Sequence, residues 1–238
     1  MTTRLAPCSG CARRRAVRCA RICCARLAAP ISTSRSAPCA CITRWFRRRC
    51  RRSSPFAERL REIQASLAAG AREIDVVITR AHVLTGEWEA LYDEVRAFRE
   101  ACGDALLKVI LATGELATLT NVARASRVAM MAGADFIKTS TGKEPVNATL
   151  PVGVVMTRAI RTYHEETGWS VGFKPAGGIR TARAALDWLI LMKEELGDRW
   201  LRAALFRIGA STLLTDIERQ LEHFATGRYS AAYRHPMV

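Results

Sequence analysis

Five times between residue 73 and the C-terminus, a short, largely apolar run is followed by a stretch long enough for a helix. No other feature constrains the fold as strongly. The runs are Glu73–Ile78, Leu106–Ala112, Ala134–Thr139, Val171–Pro175 and Leu205–Gly209. Each is short, rich in branched or aromatic residues, and fit for a strand buried on both faces. Helices are expected over 87–102, 119–131, 151–167, 181–196 and 211–224, with a sixth ahead of the first strand from Phe56 to Gly70. Trp88, Leu91, Val95 and Phe98 fall on one helical stripe. Pro151 sits in a first turn, where its missing N–H costs nothing. Gly70 stands where a helix would stop, and Ser211 is placed to cap the last helix. Strands alternating with long helices mean parallel strands joined by right-handed crossovers.

Periodicity does not choose between a barrel and an open doubly wound sheet, but the polar residues favour the barrel. Asp75, Lys108, Lys138 and Lys174 interrupt otherwise apolar strands. Thr113-Gly-Glu115, Ser140-Thr-Gly142, Ala176-Gly-Gly178 and Gly209-Ala-Ser211 follow strands directly. A barrel collects function at the C-terminal ends of many strands, whereas an open sheet gathers it at one switch point.

The first fifty residues have a different texture. The formal net charge of +15 points to nucleic acid until it is located along the chain. Fourteen arginines lie between Arg4 and Arg52, with no lysine, and no acidic residue precedes Glu58. That leaves 23 of the 37 basic residues against all 22 acidic ones, so the remainder is nearly neutral. Eight of the nine cysteines lie in the same arm, Cys102 being the exception. Cys8 and Cys11 form one CxxC without a second pair at finger-like spacing, which is poor for a zinc module. Only Trp45 and Phe46 offer stacking groups for a nucleic acid. An organelle transit peptide would be Arg-rich and acid-free, but not this rich in cysteine. The composition fits best a coding region rich in G and C read out of frame, which yields mostly Arg, Ala, Pro, Cys, Ser and Gly. No periodicity there would bury a core, so residues 1–54 are expected to form no stable fold, and 55–238 to form the globular domain. No run of about 18 apolar residues exists to span a membrane.

The chemistry rests on the strand lysines. A lysine inside a buried strand finds an anion, loses its proton, or reaches back to water. Pairing is the common fate of a single one. Lys138 and Lys174, however, sit on successive strands, each opening a Gly- or Ser/Thr-rich loop. Burial and mutual repulsion both lower a lysine's affinity for its proton, and a neutral amine is the nucleophile that forms a Schiff base. The loops at Gly177, Gly178, Gly209 and Ser211 lay backbone N–H groups near helix N-termini, which suits a phosphate; tight βα turns would explain the same glycines.

Four strings carry a resemblance: Phe136-Ile-Lys-Thr-Ser-Thr-Gly-Lys143, Gly172-Phe-Lys-Pro-Ala-Gly-Gly-Ile179, Glu73-Ile-Asp-Val-Val77, and Lys108 to Leu116. They closely resemble the deoxyribose-phosphate aldolases, from about residue 56 to the end of the chain. The resemblance implies an eight-stranded (β/α), or TIM, barrel that works in the cytoplasm without metal or other cofactor, as a possible homo-oligomer. It implies reversible cleavage of a small phosphorylated sugar, 2-deoxy-D-ribose 5-phosphate, to acetaldehyde and D-glyceraldehyde 3-phosphate. By match of motif, Lys138 would be the Schiff-base nucleophile and Lys174 the second lysine that activates it. Asp75 would join the proton relay. Gly142, Lys143, Gly177, Gly178, Gly209 and Ser211 would cradle the phosphate. Tyr229 and Tyr233 fall short of the final residue, where the family carries an assisting tyrosine, and neither is assigned.

Only five β/α units are recognisable, corresponding to strands 4–8 of such a barrel, and nothing in the arm matches the first three. Five strands do not close an eight-stranded barrel, so this chain by itself is expected to show no aldolase activity above background. Two alternatives stand beside this reading. One is another Schiff-base aldolase of the transaldolase type. The other is a non-catalytic nucleic-acid-binding protein acting through its basic arm.

Overall fold

The computed structural model describes residues 56–231 and 234. The expectations for residues 1–54, including the CxxC at Cys8 and Cys11, and for Tyr233 lie outside the described residues. Helix α1 (Phe56–Ala68) leads into strand β1 (Glu73–Val77). A short helix α2 (Arg80–Thr85), which periodicity did not reveal, ends at Gly86 with φ 79°. Then follow α3 (Trp88–Cys102), β2 (Leu106–Ile110), α4 (Leu119–Met131), β3 (Phe136–Lys138), α5 (Leu150–Thr167), β4 (Gly172–Lys174), α6 (Ala182–Leu196) and α7 (Leu213–Thr226).

All ladders are parallel and the strand order is β1-β2-β3-β4. Each strand therefore adds to the same side of its predecessor. A doubly wound sheet reverses direction; a barrel does not.

The fifth expected strand, Leu205–Gly209, runs beside β4 but joins it only through the isolated pairings Phe173–Phe206 and Ala176–Gly209. The cause is one residue. Phe173 N donates to Leu205 O at 2.8 Å, Arg207 N to Phe173 O at 3.1 Å, Gly209 N to Pro175 O at 2.8 Å, and Gly177 N to Gly209 O at 3.1 Å. The next donor in this sequence of bonds belongs to residue 175, and proline has no N–H to give to the Arg207 carbonyl.

Register decides which side chains share a face. Asp75 pairs with Lys108, Lys108 with Phe136, and Phe136 with Gly172. Val77 pairs with Ile110, Ile110 with Lys138, and Lys138 with Lys174. Alternation along each strand puts both rows on one face of the sheet. Ile74, Val76, Leu107, Val109, Ile137 and Phe173 occupy the other face and join the helices' apolar stripes in the main core. Gly172 has a packing reason on the polar face: a Cβ there would stand 2.3 Å from the Phe136 ring.

The helix ends follow local chemistry. The Thr118 hydroxyl accepts from Asn121 N at the start of α4, and the Thr181 hydroxyl from Ala184 N at the start of α6. Pro151 lies in the first turn of α5, as expected. Ser211 does not cap α7. Thr212 stands at that position, with no side-chain bond to the helix, because the helix begins at Leu213, one residue later than Ser211 would require.

One buried clamp ties α1 and α3 to the end of β1. The Glu94 carboxylate accepts from Thr79 N at 2.8 Å, from the Thr79 hydroxyl at 2.6 Å, and from the Arg59 guanidinium. Arg59 also donates to Val77 O at 3.1 Å. A buried carboxylate is tolerated here because donors satisfy it on several sides. Among the described residues, no helix is long and apolar enough to cross a membrane.

Candidate active site

Because Lys138 and Lys174 are register partners, their side chains leave adjacent strands side by side. Both turn to one oxygen. Lys138 Nζ lies 2.8 Å and Lys174 Nζ 2.9 Å from Asp75 Oδ2. Lys108, only 1% exposed, reaches Asp75 Oδ1 at 3.4 Å and Glu73 Oε2 at 2.5 Å. Arg207 donates to the same Glu73 oxygen at 2.5 Å and lies over the Phe136 ring. Four cations thus surround two carboxylates, leaving an excess of positive charge on the polar face.

This arrangement joins two fates that the sequence set against each other. The lysines repel, and they also pair, through a shared anion. Burial works to protonate Asp75, but Lys138, Lys174 and Lys108 overcome it and hold the carboxyl well below the ordinary carboxylate range. For Lys174, burial is the largest influence and lowers its proton affinity. Asp75 opposes this, Lys138 adds to it, and the net shift is downward. Asp75 Oδ1 is buried and accepts no hydrogen bond, although Lys108 Nζ faces it as an ion-pair partner at 3.4 Å. It is the free acceptor in the cluster, positioned to take a bond from a hydroxyl group or a proton in transit.

The loops after β3 and β4 are tied together. Ser140 Oγ donates to Ala176 O at 2.5 Å, and Ala176 N donates to Thr139 Oγ1 at 2.9 Å. A Cβ on Gly142 would lie 3.6 Å from Gly177 Cα. The glycines singled out from the sequence therefore converge, but most of their amides are engaged. Gly177 N binds Gly209 O, Gly209 N binds Pro175 O, and Gly142 N and Lys143 N bind the Glu144 carboxylate. Gly178 N and Ser211 N make no hydrogen bond among the described residues.

Three participants were missed from the sequence: Glu73, Arg207 and Glu144. The signal for Glu73 was present, since it precedes Asp75 by two residues and so shares its face. Arg207 had the same signal, in the middle of the fifth run. For Glu144, the spacing Thr141-x-x-Glu144 matches a side chain returning to amides three residues earlier. Tyr229 is exposed and stacks on His223 with ring centroids 4.1 Å apart.

Parallel strands added in sequence, with helices between them and two lysines side by side on one face, define a (β/α)-barrel scaffold. The chain belongs to the DeoC/LacD family of aldolases, whose model matches residues 45–217. The match takes in ten residues that composition had placed with the arm. The chain is 68% identical over 179 residues to the deoxyribose-phosphate aldolase of Homo sapiens, covering 75% of this chain and 56% of that protein. Against the enzyme of Bos taurus the identity is 66% over the same length and shares. The chain thus spans little more than half the length of these curated relatives. Among solved structures, the tetrameric deoxyribose phosphate aldolase of Aeropyrum pernix matches with a TM-score of 0.56 and 26% identity, covering 74% of this chain and 64% of that one. An aldolase designated QR15 matches with a TM-score of 0.59 and 24% identity, covering 72% and 69%. That second likeness shows the fold alone.

Proposed function

We propose that this site, once the barrel is closed by its first three strands, cleaves 2-deoxy-D-ribose 5-phosphate reversibly into acetaldehyde and D-glyceraldehyde 3-phosphate, through a Schiff base on Lys138. The observation that carries the reading is the pair of in-register lysines sharing Asp75. The neutral amine of Lys138 adds to the aldehyde carbon of the open-chain sugar, and the carbinolamine loses water to give the imine. Removal of the proton from the 3-hydroxyl breaks the bond between carbons 2 and 3. Glyceraldehyde 3-phosphate leaves, and the electron pair passes into an enamine. A proton delivered to carbon 2 returns the imine, and water releases acetaldehyde and the amine.

Asp75 and Lys174 are suited to moving these protons. Their bond gives a path 2.9 Å long, and the lowered proton affinity of Lys174 makes it a ready donor. Gly142, Lys143, Gly177, Gly178, Gly209 and Ser211 line the region assigned to the phosphate, with the open amides of Gly178 and Ser211 available to it. The excess of positive charge favours an anionic substrate. A cytoplasmic setting and an assembly of several copies belong to the same reading; the archaeal relative described as a tetramer supports the second.

Reduction with borohydride in the presence of acetaldehyde, on a protein in which three family-like β/α units replace residues 1–54, tests the nucleophile. A two-carbon adduct is expected on Lys138, located by peptide mass spectrometry. The electrostatics of the resting site make Lys174 a serious competitor, so an adduct found only on Lys174 would refute the assignment.

A further inference from the structure

The loop after β3 folds around a carboxylate of its own. Thr141 N lies 3.0 Å from Glu144 Oε2, Gly142 N 3.1 Å and Lys143 N 3.1 Å from the same oxygen. The Thr141 hydroxyl donates to Glu144 Oε1 at 2.8 Å, and Thr141 N is also 3.2 Å from that oxygen. Three consecutive backbone N–H groups converging on one anion form a nest, the arrangement that proteins use for phosphate and carboxylate groups. The carboxylate is buried, whereas Gly142 and Lys143 are exposed. The nest therefore closes on a buried plug that belongs to the loop, while two of its three residues border the solvent. It adjoins the second loop, Gly142 lying against Gly177.

We propose that Glu144 is the resting occupant of this nest and that the phosphate of the substrate displaces it, so that Glu144 sets how tightly the site holds phosphate. The proposal rests on the reading of the substrate as a sugar phosphate. A phosphate monoester carries three acceptor oxygens and close to two negative charges at neutral pH, against two oxygens and one charge on the carboxylate. It competes for the same donors with stronger charge-assisted bonds. The displaced carboxylate swings toward water through the exposed side of the loop. Without an anion in the site, Glu144 satisfies the Thr141 amide and is the nearer acceptor for those of Gly142 and Lys143, which otherwise keep only the Ser140 and Thr141 hydroxyls at 3.3 and 3.4 Å. Each turnover then exchanges one anion for another, which weakens product binding and favours release.

The experiment uses the full chain labelled with nitrogen-15 and inorganic phosphate as the probe, at constant ionic strength. Wild type is compared with Glu144→Gln, which keeps the size and an acceptor oxygen but removes the charge, and with Glu144→Ala. Phosphate should shift the amides of Thr141, Gly142 and Lys143, and bind about tenfold more tightly to Glu144→Gln, since a neutral acceptor holds N–H groups roughly half as strongly. Affinity that is unchanged or weaker in both variants overturns the proposal. Amide shifts confined to Gly178 and Ser211 overturn it while leaving the phosphorylated substrate intact. Phosphate binding to none of the three proteins overturns both. Should Glu144→Ala lose its fold, Glu144→Gln decides; if both unfold, Glu144 is a structural clamp and the proposal fails.

Discussion

Replacing Asp75 by Asn keeps the shape and removes the one charge that both site lysines share. Lys138 and Lys174 would then point at a single neutral amide oxygen, while Lys108 would face an NH2 group or lose its neighbour. Two unit charges about 3 Å apart interact by about 5 kcal/mol at an effective dielectric constant of about 20, before desolvation is subtracted. Stranding buried cations by removing their partner costs about 3–5 kcal/mol in net terms. The Asp75 side chain is 23% exposed, so water screens part of this and the lower end applies. A loss of about 3 kcal/mol at pH 7 is expected, a large share of a typical domain's stability.

The loss should depend on pH in a fixed sense. The carboxyl of Asp75 is held below its unfolded value, so its contribution is complete above about pH 4 and fades as the pH falls further. The gap between wild type and variant should therefore narrow in acid. Lys174 is shifted in the same direction, which for a base is a cost to the folded state. Its lowered proton affinity penalises the folded state while it is charged, and stability rises with pH toward the unfolded value near about 10.4. Without Asp75 that penalty grows, so the gap should narrow again in alkali. Urea unfolding followed by the fluorescence of the buried Trp188 and Trp200 would measure it at pH 3, 7 and 10. A loss below about 1 kcal/mol at pH 7, or the same loss at all three values, would show that Asp75 does not hold the cluster together.

Lys174→Leu should leave the acetaldehyde adduct on Lys138 but move its formation to more alkaline pH, measured as trapping yield between pH 6 and 10; a uniformly low yield would mean that Lys174 mainly transfers protons. Gly209→Ala should destabilise by about 1–3 kcal/mol in urea unfolding, because the new Cβ would meet Ala176 Cβ at 2.7 Å and press toward Lys174 Cε at 3.6 Å. Pro175→Ala should supply the missing donor to the Arg207 carbonyl and slow hydrogen exchange at Arg207 and Gly209. The new bond, about 1 kcal/mol, offsets the entropy returned to the unfolded chain, so overall stability should stay nearly level. Unchanged exchange at both amides would refute this account of the interrupted ladder.

The elements were legible because their signals are local. Helix α4 was expected over Leu119–Met131 and occupies those residues, since a capping threonine and a periodic stripe fix both the start and the buried face. The strands came out shorter than expected at β3 and β4, although single inter-strand bonds continue past the ends of β3, Asp135 N donating to Leu107 O and Thr139 N to Lys174 O. The fifth strand shows the same limit more sharply: apolar sequence predicted it, and a proline on the neighbouring strand, thirty residues earlier, cut its pairing. The site was legible in its lysines and its glycines but not in its connections. Asp75 stands 63 residues from Lys138 and 99 from Lys174, and only register brings them to one oxygen. A shift of one residue between β1 and β2 would send Asp75 to the apolar face and leave the lysines to repel each other, as the sequence alone suggested. The site's electrostatics are therefore a property of strand register. The apolar face enforces that register, since Ile74, Val76, Leu107 and Val109 are buried only when Asp75 and Lys108 point the other way.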